Sequence, residues 1–504
     1  METLSQPGLY RSFFKRLTLF TVFLMTFPFT FLRAQPASDT LVVTLSECIR
    51  MGQQNGPLAS MARDAYSNKK HTYQSFAAGF LPQLSLRGDA PQFVRSINSI
   101  TQPDGTNTYL LQRQAQSSLS LSLAQRIPWT GTDISINSGL NRLDNFETRS
   151  SFYRSTPLSF SLHQSLFSIN ATAWSAELED LNYSSSHRQF IEAMEDVSIN
   201  MTDKFFGFYL ATMNVYNTQL NLVINDTLYQ MSKGRFNVGK IAENDLLQNE
   251  LALLNAKTQY ENALIESERA LQDLRFALGI TEPRPLRVQP QEPAGLIDIR
   301  PAEALEYARR NRSDVVNFEI QKLNAARNVR QAQSSNSLSV DVYANIGLNQ
   351  KADALNDAYL NLLDQQQFSL QLQIPFFGFG SGSHAVEAAE AERSRIETSV
   401  EVQQFSLEQE VLYQVKRFQQ LQTQVGLSAK ADTVAQRRFD VSRERYIIGK
   451  IDVPNLFLAQ AEKDNAYRAR IQTLWNYWST YYRLRRLTLY DFETRRPLVQ
   501  DESE

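Results

Sequence analysis

The sequence predicts a mainly helical chain with a transmembrane β-barrel portion, built from a duplicated unit of strands and long helices. Three observations carry that prediction. A motif recurs at a constant offset, two long proline-free stretches place apolar residues three and four apart, and short segments alternate with period two in a chain that carries an export signal.

The first element is the address. Arg11, Lys15 and Arg16 precede the apolar run 17–32, and Ala34 or Ala37 offers a small residue for cleavage, which is the anatomy of a secretory signal peptide. Segment 1–34 is therefore expected to be removed. Cleavage after Ala34 removes one acid and four bases and leaves 47 basic against 52 acidic residues, a net charge of -5 from the full chain's -2. That balance shows no basic excess for nucleic acid. The hydrophobic share of 42% excludes low-hydrophobicity disorder. One cysteine, Cys48, makes no intrachain disulfide, and histidines 71, 163, 187 and 384 form no local metal cluster. Beyond residue 34 no window of about 18 apolar residues offers a spanning helix, so insertion in a membrane falls to strands.

The repeat organises the rest. RFNVGKIAENDLL from Arg235 aligns with RYIIGKIDVPNLF from Arg445 at an offset of 210, and the offset extends back to PLSFSLHQSLF and QFSLQLQIPFF. SECIRMGQQN, ending at Asn55, matches AEALEYARRN, ending at Asn311, at an offset of 256. The difference of 46 places an insertion in the first copy between residues 87 and 157. The reading is a first repeat at 35–280, a Pro-rich linker at 281–300, a second repeat at 301–490 and a tail at 491–504.

Each copy opens with a helix, about 44–80 and 301–337. No proline occurs from 158 to 282 or from 376 to 453. The stretches 171–233 and 385–447 read as helices of about 95 Å at about 1.5 Å per residue. Each turns at NVGK or IIGK and returns through a helix of about 55 Å, with Pro454 suited to an early helical position.

Between opening and long helices the period becomes two. Leu119, Leu121 and Leu123 share one face with serines opposite, and Phe368, Leu370, Leu372 and Ile374 alternate with Ser369, Gln371 and Gln373. Six strands are expected, near 81–88, 116–128, 132–141, 157–167, 338–349 and 367–376, with an inserted hairpin turning at PWTGT. Small uncharged polar residues opposite the apolar face favour a barrel that is apolar outside and wet within. Four to six strands are too few to close one, so either several chains share a barrel or the strands are not in a membrane.

The duplicated opening helices with Asn55 and Asn311, the FLPQLSL entry into a strand, the turn IPFFGFGSG, and the paired RFNVGKIAENDLL and RYIIGKIDVPNLF together resemble the TolC-like outer membrane efflux protein family over nearly all of the mature chain. The resemblance implies a homotrimeric β-barrel of 12 to 18 strands among outer membrane lipids of a Gram-negative bacterium, with a periplasmic α-helical barrel. It implies the exit duct of a tripartite efflux or secretion system. Its partners would be a periplasmic adaptor (membrane fusion) protein and, through it, an inner-membrane transporter of RND or ABC type. Arg235, Gly239, Lys240, Arg445, Gly449 and Lys450 would form the periplasmic tips that meet the adaptor. The family's acidic rings would stand six and nine residues after the second-copy glycine, where this chain has Asn455 and Leu458. The first-copy acid is kept as Asp245, but the basic residue expected opposite is Ile451. The candidate gate is therefore Asp245, Asp452, Asn455 and Leu458, with an amide and apolar constriction.

The remaining signals exclude other classes. GFGSGS lacks the Gly-Lys-Ser or Gly-Lys-Thr ending of a phosphate loop and reads as a turn. No GxSxG or HExxH pattern suggests an enzyme, and no cofactor is expected. WNYWSTYY reads as helix-packing aromatics. The competing reading is an exported coiled-coil scaffold or adhesin with a small soluble β-domain. Substrate and pump are not legible.

Overall fold

A computed structural model of the 504-residue chain describes residues 41–281, 285–293, 295–448, 450–451 and 453–499. The expected export segment 1–34, Gly449 and Asp452 lie outside the described residues. The chain divides into two units, one of residues 1–42 with 282–287 and one of 43–281 with 288–504. In the first, Leu41 N–H donates to the Pro285 carbonyl at 3.0 Å. Two four-residue strands occur around these positions, β1 (Leu41–Thr44) and, much later in the chain, Leu286–Gln289. The latter lies inside the stretch expected to be a plain linker.

The large unit begins with α1 (Leu45–Asn55), whose N-terminus is closed by a capping box: Thr44 Oγ1 accepts from Glu47 N–H, and Glu47 accepts from Thr44 N–H. The sequence reads one helix over 44–80, but the structure breaks it at Gly56, in extended conformation, before α2 (Pro57–Ala78). Pro57 has no N–H to give the preceding turn, and it opens a helix well. The corresponding break in the second half needs no proline. There α5 (Pro301–Asn311) and α6 (Ser313–Ser335) part at Arg312, with ψ 146. Side chains from elsewhere take up the freed backbone groups: Glu192 accepts from Ser313 N–H at 3.0 Å, and Arg188 donates to the Arg310 and Arg312 carbonyls. Helices end where outside partners replace their own hydrogen bonds.

The sheet is a six-stranded antiparallel meander. β2 (Gln83–Thr101), β3 (Asn107–Ile127), β4 (Thr132–Asn145) and β5 (Ser150–Leu166) follow α2, and the Leu286–Gln289 strand becomes β6 in chain order. β7 (Ser339–Ala352) and β8 (Leu363–Gln373) follow α6, giving the spatial order β2-β3-β4-β5-β7-β8. All six expected strands are present, several much longer than read. The sequence reading ends the first strand near residue 88. The structure absorbs Pro91 in a bulge between Asp89 and Gln92, and Pro157 in another between Ser155 and Leu158. Proline, which cannot donate to a ladder, is tolerated at bulges.

The long helices follow the strands. α3 (Ala171–Asn237) and α7 (Ser381–Ile447) have 67 residues each, about 100 Å, and α4 (Glu243–Leu278) and α8 (Val453–Thr488) have 36 each. Asn170 caps α3 by accepting from Ala173 N–H at 3.1 Å. GFGSGS is a turn: Gly380 has φ 84 at the entry to α7. The helical core gathers Met201, Phe205 and Phe206 of α3, Phe418 of α7, and Tyr477, Tyr481 and Leu484 of α8, all fully buried. Trp475 donates to Asp203 at 2.6 Å, so the aromatic run packs between helices. The chain ends with the short strands β9 (Tyr490–Asp491) and β10 (Arg496–Pro497), paired to each other. Among the described residues no helix is long and apolar enough to cross a membrane.

Candidate conduit and helix-turn sites

Register across the sheet aligns one apolar row. Leu86 opposes Leu121, and Leu84 opposes Leu123; Leu123 opposes Ile136, which opposes Phe160, which opposes Ile346. The period-two alternation of each strand puts this set on one face. These residues are the exposed ones: Leu84 is 68%, Leu121 42%, Phe160 52%, Ile346 60% and Phe368 71% accessible. On the central strands β4 and β5 the residues between them are more buried, Ser159 at 5% and Ser135, Asn137 and Ser161 half-buried, whereas on the edge strands β2 and β8 both faces are exposed. A soluble sheet hides its apolar face and wets its polar one; the centre of this sheet does the reverse.

The polar face is a hydrogen-bonded ladder. Ser122 Oγ donates to Asn137 Oδ1 at 2.6 Å, Asn137 Nδ2 donates to Ser135 Oγ at 2.9 Å and reaches Ser161 at 3.4 Å, and Asn345 Nδ2 donates to Ser161 Oγ at 2.9 Å. Gly347 permits the close approach of β5, because a Cβ there would press into the Ser159 backbone and the Leu158 carbonyl. Toward the helices the face becomes charged. Arg126 pairs with Asp133 at 2.6 Å, and His163 stacks on Tyr343 with centroids 4.5 Å apart and stands 3.4 Å from Asp341. A cleft of about 940 Å³ opens there, lined by Phe76, Phe80, Arg126, Asp133, His163 and Tyr343. The sequence reading found the serines and glutamines of this face but not Asn137, Asn345 or the His163 cluster. The signal was present in the alternation of β4, where Ser135 and Asn137 alternate with Ile134 and Ile136.

At the other end of the helix pairs, Gly239 has φ 72. Its N–H donates to the Phe236 carbonyl at 2.8 Å and Lys240 N–H donates to the Arg235 carbonyl at 2.9 Å, a Schellman closure of α3. In the second turn Lys450 N–H donates to the Arg445 carbonyl at 2.8 Å, the same six-to-one bond. Arg235 and Lys240 are thus joined through backbone, as are Arg445 and Lys450, and all four side chains are exposed. Gln460 of α8 donates to Asn221 of α3 at 2.7 Å, so the start of α8 runs beside the far part of α3. Of the candidate gate residues, Asp245 is exposed in the first turn of α4, its carbonyl accepting from Asn249 at 2.7 Å. Asn455 and Leu458 lie exposed at the start of α8, Leu458 at 52%.

A second polar cluster lies inside the helical region. Glu195 of α3 accepts from Arg485 of α8 at 2.9 Å; Arg485 also stands 3.4 Å from Asp491, which accepts from Tyr481 OH at 2.6 Å. Burial pushes the Glu195 carboxyl up to about 7 despite the arginine. Burial likewise pushes the Cys48 thiol to about 12, which leaves it unreactive. Among the described residues no group of three or more His, Cys, Asp or Glu is placed to hold a metal ion.

No protein-family model matches the chain. No curated protein matches it. Solved structures do. The outer membrane channel CmeC of Campylobacter jejuni is 14% identical with a TM-score of 0.63, over 88% of this chain and 85% of that one. A membrane protein from Pseudomonas aeruginosa is 15% identical with a TM-score of 0.62, over 88% and 90%. The outer membrane channel MtrE of Neisseria gonorrhoeae, in its open state, is 15% identical with a TM-score of 0.56, over 88% of each.

Proposed function

We propose that this chain, which has the fold of the TolC-like outer membrane channels, is the exit duct of a tripartite efflux or secretion system, a passive conduit through the outer membrane of a Gram-negative cell. The observation that carries this reading is the inverted sheet, with Leu84, Leu121, Phe160 and Ile346 exposed and the Ser122–Asn137–Ser161–Asn345 ladder on the opposite face. Such a sheet suits hydrocarbon on one side and water on the other.

Six strands close no barrel, and β2 and β8 are left as edges. An edge in hydrocarbon has unsatisfied backbone groups, so closure requires more strands. Because the six alternate in direction, β8 of one copy runs antiparallel to β2 of the next. Three copies then close an 18-stranded barrel without a parallel defect. Two copies of one ancestral unit account for the equal helices, 67 and 67 residues, 36 and 36, 11 and 11. In the trimer the turns at Arg235–Lys240 and Arg445–Lys450 are the periplasmic tips that meet an adaptor protein, and through it an RND- or ABC-type pump. Asn455 and Leu458 narrow the mouth.

Purified protein tests this. A detergent-solubilised trimer that conducts ions in a planar bilayer is expected. A monomer soluble without detergent and silent in the bilayer overturns the reading and favours a scaffold.

A further inference from the structure

Beyond the bulge at Asp89–Gln92, the β2–β3 hairpin sets two arginines directly opposite each other, Arg95 and Arg113. The bulge adds one residue to β2 only. The apolar set on β2 therefore passes from Leu84 and Leu86 to Phe93 and Ile97, while on β3 it continues from Leu119 to Leu111 without a change of parity. Arg95 and Arg113 thus lie on the apolar, outward face.

Like charges directly opposed on an antiparallel pair destabilise it. Arg95 is exposed and has no ion pair among the described residues. Arg113 stands 3.8 Å from Glu147, a long pairing, and its Nε is buried without a hydrogen-bond partner. The other nearby acid, Asp144, is already held by Arg142 at 2.9 Å and Ser151 at 2.5 Å. With Arg142 and Asp144 paired to each other, the two arginines face a single acid, Glu147, so this spot carries an excess positive charge.

Its height says what kind of anion would balance it. From Leu84–Leu123 to Phe93–Ala115 the register advances eight steps. That is about 27 Å along the strand, or about 21 Å of height at a tilt of about 40°, close to the apolar band of about 25 Å expected of such barrels. The arginines come two residues later, about 5 Å higher. Exposed Phe93 lies just below them, and the Ile97–Leu111 pair just above. Apolar groups on both sides suit an amphiphile better than an ion from water.

We propose that Arg95 and Arg113 together bind the phosphate of a lipid headgroup in the outer leaflet. The proposal rests on the barrel reading. Two guanidinium forks around one phosphate give charge-assisted, bidentate bonds and remove the repulsion between them.

The test is native mass spectrometry of the detergent-purified trimer with lipid A, dephosphorylated lipid A or inorganic phosphate, beside bilayer conductance. Wild type should retain up to three lipid A molecules per trimer and neither of the other probes. The Arg95→Gln/Arg113→Gln double variant should lose retention at least about tenfold, the scale of one or two charged hydrogen bonds, with conductance unchanged. Arg95→Gln alone, at an exposed position, should lose part of it without any question of folding. Equal retention by wild type and double variant, or retention of the dephosphorylated lipid, overturns the proposal. Retention of inorganic phosphate overturns the lipid assignment. Failure of the channel reading shows separately, as a wild-type protein without conductance.

Discussion

Gly279 and Leu489 stand 210 positions apart and both take left-handed backbone angles, φ 72 and φ 47, directly after the returning helices α4 and α8. Each is met by an opening helix. The Asn55 carbonyl lies against Gly279, and Asn311 Nδ2 donates to the Thr488 carbonyl at 3.1 Å. The second-half residue tolerates a costly angle for a bulky side chain because that side chain is fully buried.

Gly279→Ala is expected to be among the most damaging small substitutions in the helical region. The new Cβ would meet the Asn55 carbonyl inside van der Waals contact, and the left-handed angle adds about 1–2 kcal/mol. Gly105, with φ 83 and nothing within 4 Å, is the control: alanine there carries only the backbone cost. Thermal unfolding of both variants should show a clearly larger loss at 279, and equal losses would refute the contact argument.

Glu195 predicts a pH dependence. Its carboxyl is raised from 4.5 to about 7 by burial, so the native state binds its proton more tightly than the unfolded chain. A group raised in this way contributes stability that is complete below about pH 4.5 and is lost as pH rises through about 7. The loss is on the order of 3 kcal/mol. Glu195→Gln should flatten the fall in melting temperature across that window. An unchanged slope would show that Arg485 keeps the carboxylate ionised throughout.

Much of this architecture was legible because it is periodic. Alternation located all six strands, and apolar spacing with proline-free runs located α3, α4, α7 and α8. The sequence misled where one residue changes the rule locally. The first strand reads only to about residue 88 and the fourth only from about 157, whereas bulges carry Pro91 and Pro157 inside longer strands, so Arg95 and Arg113 were not seen on the apolar face. The break at Arg312 has no local signal at all, because Glu192 and Arg188, over a hundred positions away, supply the bonds that end the helix. Arg235, Gly239 and Lys240 were legible as a turn, and a glycine before a lysine at a helix end is what the left-handed closure needs.

Gly239 and Gly449 are expected to be the sensitive points of adaptor docking. At Gly239 the left-handed angle makes valine strained by about 1–2 kcal/mol, with nothing nearby to compensate. Gly239→Val and Gly449→Val should each reduce crosslinking to the periplasmic adaptor and lower export, while trimers and bilayer conductance persist. Asparagine, which tolerates the angle, should do less harm. Full export with both valines in place would remove the tips from the docking surface.

The gate follows from what stands at the start of α8. In a closed trimer three copies of Leu458 would face one narrow opening. Each is half exposed within its own chain and so available to the others. A ring of leucines excludes water, and a dewetted constriction opens by helices moving apart, not by protonation. Leu458→Asp should therefore hydrate the mouth, raise resting conductance several-fold, and create a site for block by multivalent cations. Asn455→Asp should add the block with little effect on resting conductance, because an amide position is already polar. Wild-type conductance should stay flat as pH falls through the carboxylate range. A steep rise there, abolished by Asp245→Asn or Asp452→Asn, would show carboxylates holding the mouth closed and would overturn the leucine gate.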